Sequence, residues 1–377
     1  MFILSFSEYF SITLSQSNGN HLYTCEPDKA YLFSEFIFDE LRKGPARLPL
    51  SKISSADPVL KGFNVAQFPP PRDVLFYMGV GGMGDNIMSW GVVRHLAEMG
   101  YRMHILCLPI MEFCWHGFPW VESIVFLPNY WSAINCFDHH VIFETISNSY
   151  THDQQIHPLD AMLAKVGVDA SAIPVERKRV APVFSRQEQR VAEAMYPGKE
   201  LAFFQLSPSQ RARQLPPEKS RAVLSALALA FPQFHWIALG GGTTNAAFFD
   251  PPLDLPNVEY RTFDRMRTLW ALVRRAHLCV SPDTMLVHAA GMFGIPCVGL
   301  WGTYPPASRV AYYENHHAIF HREICPHSPC NWNADGLPSF CPPALTGQAR
   351  THCAVVSAIT PEEVVETARK ALDLARV

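Results

Sequence analysis

Two aspartates stand at turn-to-helix junctions, where a side chain can meet a ligand. Asp85 follows Gly79, Gly81, Gly82 and Gly84 in GVGGMGDNIMSW. A turn this rich in glycine lets backbone approach a ligand closely. An aspartate side chain is ionised at neutral pH and can take a proton from a hydroxyl set beside it. Asp283 opens DTMLVHAAGMFGIP. With Thr284 it supplies a helix start, and the backbone N–H groups that follow, at Met285 and Leu286, suit a phosphate at the positive end of a helix dipole. His288 lies one turn on from Thr284, on the same helix face. Each has a plainer reading: an aspartate at a helix start is commonly a cap, and a helical histidine is commonly packed in a core. A third stretch, SPSQRARQLPPE, is rich in arginine and serine, residues that in a loop are usually just solvated. Gly240, Gly241 and Gly242 end another apolar run and can admit a nucleoside past a sheet edge.

The elements needed to position these groups are readable around them. Residues 73–78 (DVLFYM) read as a strand, the glycine turn follows, and a helix runs from about Asn86 to Met99, with Asp85 as its cap. Residues 102–107, 121–127 and 140–144 continue as strands, and 158–168 carries on the alternation. After a charged, proline-containing link at 175–184 and a connecting helix at 187–195, a second series begins. Its strands are 201–206 and 235–239, with an amphipathic helix between them ending near Ala230. Asp264 is read as the cap of a helix through Arg275. His277–Ser281, a small-residue helix over 285–292 ending at Gly294, and Cys297–Trp301 form a strand–helix–strand unit of the kind that builds a parallel sheet. Thr360-Pro361-Glu362-Glu363 reads as a capping box for the last helix. Residues 31–41 fit a strand and an amphipathic helix equally well.

With 377 residues, 48% of them hydrophobic, the chain can build two ordinary domains and an appendage. A net charge of −3 gives no footprint for nucleic acid. The first residues lack the basic start of a signal peptide, and no apolar run is long enough for a bilayer, so a cytoplasmic protein is expected. Ten cysteines in this length are not a disulfide scaffold. Cys325, Cys330, Cys341 and Cys353 fall in one loop-like region, where four thiolates would hold zinc or iron as a structural site; free thiols are the alternative. His327 and His352 are further candidate ligands.

The pattern D-T-x-L-x-H-x-A-x-x-x-G-x-P over 283–296 resembles the nucleotide-sugar segment of the heptosyltransferases, glycosyltransferase family nine. Gly302-Thr303-Tyr304-Pro305, the late cysteines and ITPEEV at 359–364 continue the likeness, which covers about Asp73 to the C-terminus. The resemblance implies an α/β GT-B architecture, with two Rossmann-like domains facing a cleft. Residues 1–70 would be an N-terminal extension or small accessory domain, 71–185 the acceptor domain and 186–377 the donor domain, with a cysteine-rich loop at 325–353. It implies inverting transfer of a sugar, a heptose from ADP-heptose, to a hydroxyl on a lipopolysaccharide core, another glycan, a lipid-linked acceptor or a protein. Asp85 would be the catalytic base, with Gly82, Met83, Gly84 and Asn86 on the acceptor side. Arg213 matches a basic position where lysine is commoner, and Leu215 replaces a tryptophan. Arg213, Asp283, Thr284, Met285, Leu286 and His288, with Ser207, Ser209, Gly241 and Gly242, would hold the donor. No catalytic metal is implied. Some autotransporter heptosyltransferases of this family hold iron with four cysteines. Peripheral association with the inner face of the cytoplasmic membrane would bring the enzyme to a lipid-linked acceptor. An epimerase of similar build and a non-catalytic sugar-nucleotide-binding protein are the alternative readings.

Overall fold

The computed structural model describes residues 2–6, 9–16, 19–27, 29–33, 50–54, 61–78, 82–143, 156–206, 208, 210–240, 253–331, 337–339, 341 and 352–375. Contacts divide the chain into two compact units, 1–149 with 159–174, and 150–158 with 175–377.

The first unit opens with β1 (Phe2–Phe6), β2 (Phe10–Gln16), β3 (Gly19–Cys25), β4 (Ala30–Phe33) and β5 (Leu50–Ser54). The strand alternative therefore holds at the start of 31–41, and 34–41 lie outside the described residues. A parallel sheet follows, from β6 (Asp73–Met78), β7 (Arg102–Cys107), β8 (Ser123–Phe126) and β10 (His139–Phe143), in the order β10-β6-β7-β8. Between β8 and β10 the chain makes β9 (Asn129–Tyr130), which pairs antiparallel with β4. The N-terminal sheet, β5-β1-β4-β9, thus takes its last strand from the Rossmann-like part. The Tyr130 hydroxyl donates to Glu26 Oε1 at 2.6 Å, and Leu32 packs with Leu75, Tyr77, Leu106, Leu127 and Ile134. The extension is thereby built into the core of the first unit.

Two helices of this unit matter for the site, α1 (Met83–Glu98) and α2 (Glu112–Trp115). The helix begins three residues earlier than its sequence suggests. The Gly82 carbonyl already accepts from the amides of Asp85 and Asn86, at 3.1 and 3.2 Å, so the end of the glycine turn is itself the first helical turn. Gly82 is the N-cap and Asp85 the third helical residue. Helix α3 (Pro158–Lys165) follows β10 in sequence.

The second unit carries α4 (Arg186–Met195), β11 (Glu200–Gln205), α5 (Pro217–Ala230), β12 (Phe234–Leu239), β13 (Val258–Arg261) and α6 (Met266–Val273). It continues with β14 (Ala276–Pro282), α7 (Met285–Phe293), β15 (Cys297–Leu300), α8 (Ala307–Val310), β16 (His316–Ile319) and α9 (Pro361–Leu374). Its six strands are parallel, ordered β13-β12-β11-β14-β15-β16. A central parallel strand is covered on both faces, which is why β14 reads as an almost unbroken apolar run. Val223, Leu224 and Leu227 recur at helical spacing and put one face of α5 into the core with Phe204, Trp236, Val364 and Ala368. Leu215, at the position where the resemblance expects tryptophan, is 1% exposed and belongs to that core. The N-cap of α6 is Arg265, one residue after the Asp264 expected from sequence.

Candidate functional site

Both parallel sheets have a switch point, where neighbouring strands are followed by connections running opposite ways. In the second unit it falls between β11 and β14. Ligands of open α/β sheets bind beyond the carboxyl ends of strands at such points. The segment after β11 carries Arg213, and the segment after β14 carries Asp283 and Thr284. In the first unit β6 lies between β10 and β7; residues 79–81 lie outside the described residues, and Gly82 and Asp85 follow.

Arg213 closes a single 3-10 turn, Arg211–Arg213. Ala212 and Leu215 on either side are buried and pin the segment. The Arg213 guanidinium donates through Nη1 to the Asp283 carbonyl at 3.1 Å and to its Oδ2 at 3.0 Å. Asp283 is 5% exposed. Burial pushes its carboxyl up, but the opposing fields of Arg213 and Arg309 and the Arg213 hydrogen bond leave it below the ordinary aspartate value. Arg309, itself 6% exposed, lies with its guanidinium 4.2 Å from the centre of the Tyr304 ring. His288 is 3% exposed, and its Nδ1 lies 3.1 Å from the Tyr313 hydroxyl. Burial, with the field of Arg309 acting the same way, pushes His288 down to about 3, so it is neutral at physiological pH. Arginine stays protonated, so Arg213 and Arg309 both bring positive charge toward the buried Asp283 carboxylate. Arg213 Nε and the Thr303 hydroxyl are buried with no hydrogen-bond partner among the described residues. A buried guanidinium N–H left in this way at a sheet edge fits an anion such as a diphosphate.

Thr284 has a narrower part than its type suggests. It is the N-cap of α7, accepting from the Leu286 amide at 3.1 Å. Asp283 precedes the cap rather than forming it. The Ser281 hydroxyl donates to the Pro282 carbonyl at 2.7 Å, so in its 2.8 Å contact with Thr284 it must accept. The single Thr284 proton is thereby committed to Ser281, and the Leu286 N–H to Thr284. Both shape the turn. Met285 Sδ accepts from the Trp270 indole at 3.0 Å, which fixes the first residue of the helix. Further along, Gly291 faces Tyr313 so closely that a β-carbon there would meet the ring at 2.2 Å. The same ring carries the hydroxyl beside His288.

In the first unit Gly82 N–H donates to Asp85 Oδ2 at 2.8 Å, so the carboxylate caps its own helix from the third position. Asn86 is 1% exposed. Its Oδ1 accepts from the Trp115 indole at 3.1 Å, and its Nδ2 donates to the Gly82 carbonyl at 3.2 Å. Met83 and Gly84 are the first two residues of α1.

Ser207, Ser209, Gly241 and Gly242 lie outside the described residues. Cys325, Cys330, Cys341 and Cys353 are of intermediate exposure and form no disulfide among the described residues. Burial raises Cys353, and Cys325 adds to that. Among the described residues no three histidine, cysteine or acidic side chains are grouped to hold a metal ion, and residues 332–336, 340 and 342–351 of this loop lie outside the described residues.

Sequence reading did not assign roles to Arg309, Tyr304, Thr303 or Trp115. Thr303 and Tyr304 stand in the family-like pattern and could have been flagged from it. Arg309 and Trp115 lie far along the chain from the groups they meet, and no local spacing marks them.

No sequence-family profile matches the chain, and no curated protein matches it in sequence. Solved structures do match. An ADP-heptose lipopolysaccharide heptosyltransferase II from E. coli aligns with TM-score 0.59 at 13% identity, over 81% of this chain and 100% of its own. A glycosyltransferase family 9 protein from Veillonella parvula gives 0.59 at 12%, over 81% and 98%. The iron-containing dodecameric glycosyltransferase TibC from enterotoxigenic E. coli gives 0.54 at 14%, over 99% and 95%, so it also spans the N-terminal extension. The chain has the GT-B fold of the family-nine glycosyltransferases.

Proposed function

We propose that the protein is an inverting family-nine glycosyltransferase that moves a heptose from ADP-heptose to a hydroxyl acceptor, with lipopolysaccharide core as the acceptor class. The observation that supports this reading is the Arg213 guanidinium held on the buried Asp283 at the switch point of the second sheet, with its Nε left for a ligand, in a fold shared with an ADP-heptose transferase. Asp85 accepts the acceptor's proton as its oxygen bonds to the anomeric carbon from the face opposite the leaving group. The bond to the diphosphate breaks, and the nucleoside diphosphate departs with the electron pair. Arg213 and the start of α7 stabilise the charge growing on it. Thr284 holds the turn in shape. Charge is neutralised by arginine, so the chemistry is metal-independent and transfer persists in EDTA. Among the described residues no helix is long and apolar enough to cross a membrane. We place the reaction in the cytoplasm, at the inner membrane face where a lipid-linked acceptor is met.

The test is ADP release from ADP-heptose with a heptose-free core oligosaccharide, alongside calorimetry with ADP. Asp85→Asn should lower turnover by at least ~10³-fold while ADP affinity stays within twofold, since the carboxylate acts on the acceptor. Arg213→Ala should weaken ADP binding and slow transfer by ~10²–10³-fold, the usual loss for one preorganised charge partner. Unchanged turnover in both variants removes the mechanism. Conversion of the donor without acceptor points instead to an epimerase.

A further inference from the structure

The first unit contains a hydrogen-bonded chain that ends at Asp85 and begins on another element. Trp115, on α2, is 1% exposed, with its ring edge-on to Phe76 of β6 at 5.9 Å. Its indole N–H can only donate. It donates to Asn86 Oδ1 at 3.1 Å, and this decides which way the buried amide faces. The Asn86 Nδ2 must then point at the Gly82 carbonyl, 3.2 Å away. Gly82 in turn gives its N–H to Asp85 Oδ2 at 2.8 Å. Without the indole, the Asn86 oxygen loses this buried donor, and the amide is held less firmly. Flipped, it would set an oxygen against the Gly82 carbonyl.

We propose that Trp115 is a positioning residue for the transfer reaction, acting through the Asn86 amide and the Gly82 turn to fix the Asp85 carboxylate. The proposal rests on the reading of Asp85 as the base. Trp115 itself touches no substrate. It holds the amide polarity on which the turn depends, a role that phenylalanine, with the same packing and no N–H, cannot fill.

The experiment compares Trp115→Phe, Asn86→Leu and the double variant, each checked by thermal melting, using ADP-heptose and the heptose-free core oligosaccharide. Trp115→Phe should lower kcat about tenfold and leave the KM for ADP-heptose within twofold, because the defect lies away from donor binding. The double variant should be no slower than Asn86→Leu alone, since the two act in one chain. Amide exchange at Gly82 should quicken in Trp115→Phe, and Asn86→Leu should move the Trp115 indole N–H resonance. Wild-type kcat in Trp115→Phe overturns the proposal, as do multiplying losses in the double variant or an unmoved indole resonance. Asp85→Asn run beside them separates the two ideas. If it is inactive while Trp115→Phe is normal, only the positioning role falls. If Asp85→Asn turns over normally, the base falls and the positioning role with it.

Discussion

A buried carboxylate bonded to the partly buried Arg213 and lying in the field of the buried Arg309 is the chemical centre of the second unit. Asp283 engages one edge of the Arg213 guanidinium, and the Nε of that group is what a diphosphate would meet. Removing the anion leaves two cations with less compensation. Breaking a buried pair by deleting one partner costs several kcal/mol, and the Arg213 side chain is 16% exposed, which screens part of that. Asp283→Asn should therefore destabilise the protein by roughly 2–3 kcal/mol in urea unfolding. Saturating ADP should recover more stability in this variant than in the parent, because the diphosphate supplies the missing negative charge. An equal thermal shift in both would argue against an anion site here. Asp283 was visible in the sequence as a helix-start residue. That it precedes the cap, and that its worth lies in two arginines, was not. Arg309 arrives from 26 residues further along, on a four-residue helix with no pattern of its own.

At the scale of elements, local signals were read well where the chain satisfies itself locally. Gly294 ends α7 at φ 69°, a left-handed position suited to glycine. Thr360 caps α9 by accepting from the Glu363 amide at 3.2 Å, with Pro361 at the first helical position. The second half of the expected capping box is diverted: the Glu363 carboxylate pairs with His321 Nε2 at 2.9 Å. A tertiary partner has taken a side chain that the local pattern had assigned to its own helix. Thr360→Ala should cost about 1 kcal/mol, the usual worth of such a cap, read by thermal or urea melting. No change would mean that the buried face of Val364, Val365, Ala368 and Ala371 holds the helix without help. The early start of α1 has a similar origin. Glycines at 82 and 84 argue for a turn, yet backbone bonding to the Gly82 carbonyl and the buried Asn86 amide carry the helix back to Met83.

For the molecule as a whole, burial of neutral histidines ties stability to pH. His288 and His316 are both held down to about 3, each chiefly by burial. His316 Nε2 accepts from the Trp301 indole at 3.1 Å, an arrangement the protonated ring cannot keep. The unfolded chain takes up these protons near pH 6.5, and the folded one does so only near 3. Between those values the unfolded state binds more protons, so stability rises with pH and is lost on acidification. Each histidine can contribute a slope of up to roughly 1.4 kcal/mol per pH unit in that window. Urea unfolding at about pH 4.5, 5.5 and 6.5 should show the decline, and His288→Gln should flatten it. An unchanged slope in that variant would mean that His288 is accessible to protons in the fold.

Much of the architecture was decided by the order of residue types alone. Apolar runs of strand length alternating with helical periods leave parallel α/β units as the economical way to bury them. The glycine turn before Asp85 and the Asp283-Thr284 helix start fall at strand ends because turns must lie there. Tertiary structure decided the rest, because those decisions depend on residues that meet only after folding. It paired β9 with β4 and so built the N-terminal extension into the first unit. It placed Arg309 against Tyr304 and within the field of Asp283. It committed the Thr284 proton to Ser281 and aimed the Trp115 indole at Asn86. A hydrogen bond or buried charge is settled by direction and distance in space, and spacing along the chain carries neither once the partners lie on different elements.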